Sequence, residues 1–168
     1  MAIASPPVRE IMSWTDLGEG ARAIAEQVHA SGWHPDIVLA IARGGLLPGG
    51  AIGYALGVKN TCTMNVEFYT DVDERLDVPM VLPPVPTLVD LGASRMLIVD
   101  DVADTGHTLR VVQEFCVDKV AETRTAVLYE KPTSVVTCDY VWRRTDRWVV
   151  FPWSSQAPVG GGRGEQGD

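Results

Sequence analysis

The sequence is short of positive charge, of cysteine and of long apolar runs, and each shortage excludes a class of protein. Lys and Arg total 14 against 22 Asp and Glu, a formal net charge of -8. A general nucleic-acid binder needs a dense basic surface to displace counterions, so that class is excluded and any phosphate-bearing ligand has to be held locally. The three cysteines, Cys62, Cys116 and Cys138, are an odd number without a CxxC pair. They indicate neither a zinc site nor a disulfide framework, and read as buried thiols in a reducing compartment. No apolar run is long enough to cross a bilayer, and the N-terminus has no basic region followed by an apolar core, so the expected location is cytoplasmic, with no membrane partner. What remains, 168 residues of which 46% are apolar, supports one domain with a real core and one active site.

Along the chain, residues 1–12 contain Pro6-Pro7 and read as an N-terminal arm. Ser13-Trp14-Thr15-Asp16 has the Ser-x-x-acid pattern of a helix start, and Leu17, Ala21, Ile24, Ala25 and Val28 form one apolar face up to a stop at Gly32. Asp36 to Ala42 is a short apolar run followed by Arg43-Gly44-Gly45 and a second apolar stretch ending at Gly57, the pattern strand, tight loop, helix. Another strand is expected through Cys62, Met64 and Val66. Residues 69–93 carry acidic residues and four prolines (Pro79, Pro83, Pro84, Pro86), which exclude a helix or a central strand and predict a flexible or extended excursion. Strand Arg95–Asp100, a helix carrying Leu109, Val112, Phe115 and Cys116, and strands near 125–129, 139–142 and 148–150 complete the pattern. Alternating strands and helices predict an α/β fold, a parallel Rossmann-like sheet flanked by helices. Residues 154–168 read as a disordered tail, Gly-rich from Gly160.

The segment Val99-Asp-Asp-Val-Ala-Asp-Thr-Gly-His-Thr108 falls at the end of a strand and the start of a helix, where open α/β sheets bind ligands. Thr105, Gly106, His107 and Thr108 present consecutive backbone N–H groups and two hydroxyls at a helix N-terminus, a geometry suited to a phosphate monoester. Asp100 and Asp101 would repel that anion unless they served another part of the ligand, and ribose hydroxyls or a Mg2+ ion on them meet the demand. The plain alternative is a helix-cap cluster of solvated aspartates.

This run of residues resembles the phosphoribosyl pyrophosphate (PRPP) motif of type I phosphoribosyltransferases. The resemblance implies that fold, with a small C-terminal base-binding hood, and it spans about residues 13–153. It implies that the acidic pair faces the ribose hydroxyls, with Asp101 toward the metal, and that residues 105–108 grip the 5'-phosphate. Asp at position 104 is similar to the hypoxanthine, guanine and xanthine enzymes, in which this carboxylate lies beside purine N7 and manages its proton. The plain reading of Asp104 is a cap for the following helix. Arg43, Gly44 and Gly45 match the pyrophosphate loop of the same enzymes, which often has a cis peptide before the basic residue, here Ala42-Arg43. By resemblance to the xanthine-guanine enzymes, Lys131 of Glu130-Lys-Pro132 donates to purine O6, Trp148 stacks on the base and the Val149 carbonyl meets the edge near C2. Taken alone, Trp148 and Trp153 would read as core aromatics and Lys131 as a surface lysine.

Two departures stand out. Related enzymes often carry an acidic residue shortly after the stacking aromatic, whereas here Val150-Phe-Pro-Trp-Ser154 follows, which puts a second Mg2+ site in doubt. The 69–93 excursion occupies the place of the loop that covers the reacting centre but is Pro-rich. The reading implied is a purine phosphoribosyltransferase using Mg2+, with PRPP and a purine base as partners, assembled as a homo-oligomer (dimer or tetramer). The rivals are a PRPP- or nucleotide-sensing regulator on the same fold and a phosphoribosyltransferase for another base.

Overall fold

A computed structural model describes residues 8–69, 75–82 and 91–160, with the backbone alone for 67–69 and 75–82. The order is β1 (Arg9–Ile11), α1 (Trp14–Ala30), β2 (Ile37–Ala42), α2 (Leu46–Leu56), β3 (Thr61–Tyr69), β4 (Arg75–Leu82), β5 (Arg95–Ala103), α3 (His107–Cys116), β6 (Glu122–Glu130), β7 (Tyr140–Arg144) and β8 (Trp148–Val150).

The first helix begins where its sequence signal lies. The Asp16 N–H donates to Ser13 Oγ at 3.1 Å while the Ser13 N–H donates to Asp16 Oδ2 at 2.8 Å, a reciprocal pair that satisfies two otherwise orphaned donors. Ala21, Ile24, Ala25 and Val28 are buried along one face. The main sheet runs β4-β3-β2-β5-β6-β7, with every pairing parallel except the antiparallel β3–β4 edge. Its central strands are covered on both faces, and the strand period of two sorts their side chains. Val38, Leu97, Val99, Ala126 and Leu128 join α1 and α2 in one core. Leu39, Met96, Ile98 and Val127 join Leu109, Val112 and Cys116 of α3 in the other. Burial pushes the thiols of Cys116 and Cys138 up to about 11 and about 12, so both stay protonated and behave as small apolar side chains.

Three boundaries expected from sequence shift. The last residues of the arm belong to the domain, because Arg9, Glu10 and Ile11 pair in parallel with Trp148, Val149 and Val150 to make a separate two-stranded sheet. The excursion contains a strand, β4, at the sheet edge. Pro79, which has no N–H to donate, lies where the β3–β4 register shifts, between the Tyr69–Arg75 and Glu67–Met80 pairs, and so interrupts no regular ladder. The remainder of the excursion, residues 70–74 and 83–90, lies outside the described residues, as does the tail beyond residue 160. The tail begins in turns, with the Ser154 N–H donating to the Phe151 carbonyl at 3.1 Å.

Candidate active site

Strands β2 and β5 are neighbours, yet after β2 the chain moves to β3 on one side and after β5 to β6 on the other. Their carboxyl ends therefore flank a crevice, and both candidate phosphate loops emerge there. At the end of β2 the Ala42–Arg43 peptide is cis. Arg43 is exposed, while Gly44 and Gly45 lie against the neighbouring loop. A Cβ at Gly44 would overlap the Asp101 carboxylate, and one at Gly45 would overlap the backbone carbonyls of Val99 and Ile41. Only glycine lets the two loops approach this closely.

Asp100 and Asp101 sit low between those loops, partly accessible to solvent but surrounded by protein. The Asp101 N–H donates to Asp100 Oδ1 at 2.9 Å. Burial, and then the neighbouring Asp101 charge, hold the Asp100 carboxyl well above the usual carboxylate range. Burial also raises Asp101, against the opposing pull of the Val102 N–H, Asp100 and the Trp153 indole N–H. A cation would relieve this pair. Among the described residues no cluster of three or more His, Cys, Asp or Glu could form an all-protein cage. One or two carboxylates beside a ligand's own oxygens suit Mg2+, which retains waters and binds few protein groups.

The raised carboxyl has a consequence for stability. Because the Asp100 pKa is higher in the folded chain than in the unfolded one, the folded chain binds more protons, and stability falls as pH rises from the unfolded value through the folded one. Asn keeps an acceptor for the Asp101 N–H and cannot ionise. Ligand-free Asp100→Asn should therefore be more stable than the parent at neutral to alkaline pH, by about 0.5–2 kcal/mol, and should lose that advantage near and below about pH 4. Thermal unfolding across pH checks this, and identical pH profiles for the two proteins would contradict it.

The loop from β5 to α3 is braced from the side. The Lys131 N–H donates to the Ala103 carbonyl at 3.0 Å, Thr133 Oγ1 to the Asp104 carbonyl at 2.8 Å and the Val135 N–H to the Thr105 carbonyl at 2.8 Å. Gly106 takes φ +78°, and a Cβ there would press on Ser134 Oγ and the backbone nitrogens of Val135 and Val136. Gly106 is also the N-cap of α3, and no side chain caps that helix. Asp104 therefore does not cap it, against the plain reading of that residue. The positive end of α3 is left without a side-chain acceptor, beside the exposed Thr105 and His107 and the half-buried Thr108.

Farther along the crevice, Asp104, Lys131, Trp148 and Val149 line one cavity of about 440 Å³. Lys131 Nζ lies 3.3 Å from Asp104 Oδ1 and 5.4 Å from the centroid of the Trp148 ring. The Lys131 side chain is only 13% exposed, so it is not a freely solvated surface lysine. Trp148 is 64% exposed, so it is not a core aromatic, whereas Trp153 stacks on buried Phe151 at 4.8 Å. Val149 has a buried side chain, and its backbone faces the other way from β1. This follows from the Met12 N–H bond to the Val150 carbonyl at 3.0 Å, since successive residues of a parallel strand alternate the side to which they bond. The two-stranded sheet ends at β8, so among the described residues no strand pairs with the Val149 N–H and C=O.

Sequence reading missed several residues of this cavity. Arg9, Val102, Phe151 and Ser155 line it, as does Ser154, which the sequence marks only as the place of a missing acid. Strand β1 is three residues long behind a Pro-rich stretch, too short for any periodicity to reveal Arg9.

A mostly parallel sheet, two glycine-containing loops, an acidic pair and a cavity of about 440 Å³ thus meet around one topological crossing. The chain belongs to the phosphoribosyl transferase domain family, whose model matches residues 8–158. It is 31% identical over 150 residues to xanthine-guanine phosphoribosyltransferase of Gluconobacter oxydans (strain 621H), covering 88% of this chain and 85% of that protein. The crystal structure of purine phosphoribosyltransferase from Pyrococcus horikoshii Ot3 superposes with a TM-score of 0.76 at 33% identity, covering 92% of this chain and 99% of that one. The xanthine-guanine-hypoxanthine phosphoribosyltransferase of Helicobacter pylori shares the fold, with a TM-score of 0.76 at 19% identity over 88% of this chain and 94% of that one. The type I phosphoribosyltransferase fold expected from the sequence is thus the fold observed.

Proposed function

We propose that the protein is a purine salvage phosphoribosyltransferase that transfers the 5-phosphoribosyl group of PRPP to a 6-oxopurine, guanine, hypoxanthine or xanthine. The carrying observation is that Asp104, Lys131, Trp148 and Val149, from three separate stretches of chain, line one cavity that opens at the start of the β5–α3 loop. In this reading purine N9 attacks ribose C1', the C1'–O bond to pyrophosphate breaks, and the N7 proton passes to the Asp104 carboxylate. Lys131, a donor only, bonds O6, Trp148 stacks on the ring and the free Val149 carbonyl meets the C2 edge. Asp100 and Asp101 take the ribose hydroxyls, Thr105, Gly106, His107 and Thr108 the 5'-phosphate, and Arg43, Gly44 and Gly45 the pyrophosphate. Mg2+ held at Asp101 would neutralise charge on the departing pyrophosphate. Most of the protein's contribution is positioning and fixed electrostatics, because the transition state resembles an oxocarbenium ion.

The test is a steady-state assay with PRPP, Mg2+ and each of the three oxopurines. Absence of pyrophosphate release with all three would overturn the reading. The close fit at Gly44 gives a further check: Gly44→Ala places a methyl on the Asp101 carboxylate. Overpacking of this kind typically costs about 1–3 kcal/mol, so the KM for PRPP should rise about tenfold while the purine KM changes little. An unchanged PRPP KM would show that the two loops part without cost.

The protein also acts as a homo-oligomer, dimer or tetramer, in the cytoplasm. Support for the first is helix α2, which exposes Leu46, Leu47 and a 94% exposed Tyr54, a surface that a partner copy would cover. Support for the second is the three free cysteines. Sedimentation of the intact chain tests the assembly.

A further inference from the structure

We propose that Arg9, on the short strand β1, reads the C2 substituent of the purine and favours a 2-oxo group over a 2-amino group. The inference rests on the proposal that the 440 Å³ cavity holds the base. Arg9 lines that cavity although it lies 139 residues from Trp148 in sequence (148 less 9), because β1 and β8 pair with Arg9 directly opposite Trp148. Residues opposite each other in a parallel pair project to the same face, so the Arg9 side chain leaves the sheet beside the indole.

The edges of the ring can be assigned one by one. Lys131 Nζ and Asp104 Oδ1 are 3.3 Å apart, a spacing that matches neighbouring atoms on a single edge of the base, O6 and N7. N9 has to face the sugar and therefore the crevice between the loops. The edge carrying C2 is left, and Arg9 is the remaining charged residue that lines the cavity. Nothing else in the lining opposes it there: Ser154 and Ser155 are neutral, and Asp104 is engaged with Lys131.

A guanidinium only donates, and it never loses its charge near neutral pH. A 2-oxo oxygen accepts from it, and a 2,6-dioxopurine also ionises more readily than its 2-amino counterpart, which a fixed positive charge favours further. A 2-amino group presents N–H to N–H at Arg9 and has to rely on the Val149 carbonyl instead. Hypoxanthine, with hydrogen at C2, gains nothing from Arg9. A pocket is expected to discriminate most strongly where a polar partner would be left unpaired.

The experiment compares kcat/KM for xanthine, guanine and hypoxanthine in the parent and in Arg9→Gln and Arg9→Lys, with thermal unfolding as a control for folding. Arg9→Gln should lower kcat/KM for xanthine by about 10–100-fold, the usual size of a charge-assisted hydrogen bond, and leave hypoxanthine within about twofold. Arg9→Lys, which keeps the charge without the fork, should fall between. Equal losses for all three purines, or an unchanged xanthine value in a folded variant, would overturn the role of Arg9 while leaving the transferase reading intact. No turnover of any purine by the parent would overturn both.

Discussion

Asp104→Asn is expected to lower kcat by roughly a hundredfold or more, the contribution of a well-placed general base, with PRPP affinity largely retained. The geometry makes this substitution clean. The Asp104 side chain is 51% exposed, and its carboxylate is paired only with Lys131 among the described residues. It caps no helix, since the N-cap of α3 is Gly106 without side-chain help, and the phosphate-type loop is braced through backbone carbonyls at 103, 104 and 105 that Asn preserves. What Asn lacks is a site for a proton and the charge facing Lys131. Single-turnover rates and PRPP binding measured on the same variant check the expectation. If PRPP affinity fell as far as kcat, Asp104 would be holding the loop rather than accepting a proton.

The acidic pair should show the opposite pattern. Asp101→Asn is expected to weaken Mg-PRPP binding by about 10–100-fold, the range seen when groups around a bound metal are altered, with free purine binding almost unchanged. Asp101 lies against Gly44 of the neighbouring loop, so its carboxylate is held in a tight space before any ligand arrives. Burial disfavours its charge in the absence of a cation. In the proposed reading, a bound Mg2+ complex would offset that unfavourable burial. Calorimetric titration with Mg-PRPP, and separately with a purine, distinguishes this from general damage: equal losses in both titrations would show that the variant disturbs the whole crevice. The same pair explains why ligand-free Asp100→Asn should gain stability at neutral pH, since burial and the Asp101 charge both disfavour its ionised carboxylate.

Much of the molecule was legible wherever its physics is local. The capping box at Ser13–Asp16 needs residues three apart, and the strand alternation that divides the two cores needs neighbours two apart. The run from Val99 to Thr108 is contiguous, so the acidic pair, Asp104 and the start of α3 could be read as one unit with its place at the end of a strand. Of the excursion's prolines, Pro79 lies in the edge strand β4, while Pro83, Pro84 and Pro86 lie outside the described residues. The prolines could not show that an edge strand survives around Pro79, because that depends on the β3–β4 register shift, a property of the pairing rather than of either segment.

The cavity was decided by tertiary structure. Arg9, Asp104, Lys131 and Trp148 meet only because β1 pairs with β8 and because the 131–136 loop bonds the β5–α3 loop. Composition set the charge and the cysteine chemistry, and local pattern set the elements and the glycine-containing turn at the start of α3. Which side chains share a wall, and that the Val149 carbonyl points away from β1 while its side chain is buried, follow from the hydrogen-bond phase between strands more than a hundred residues apart in sequence (Val150 against Met12). Short strands of three residues carry too little pattern to announce that pairing, and it becomes favourable only once Met12, Val149 and Phe151 are buried together in the core beneath it.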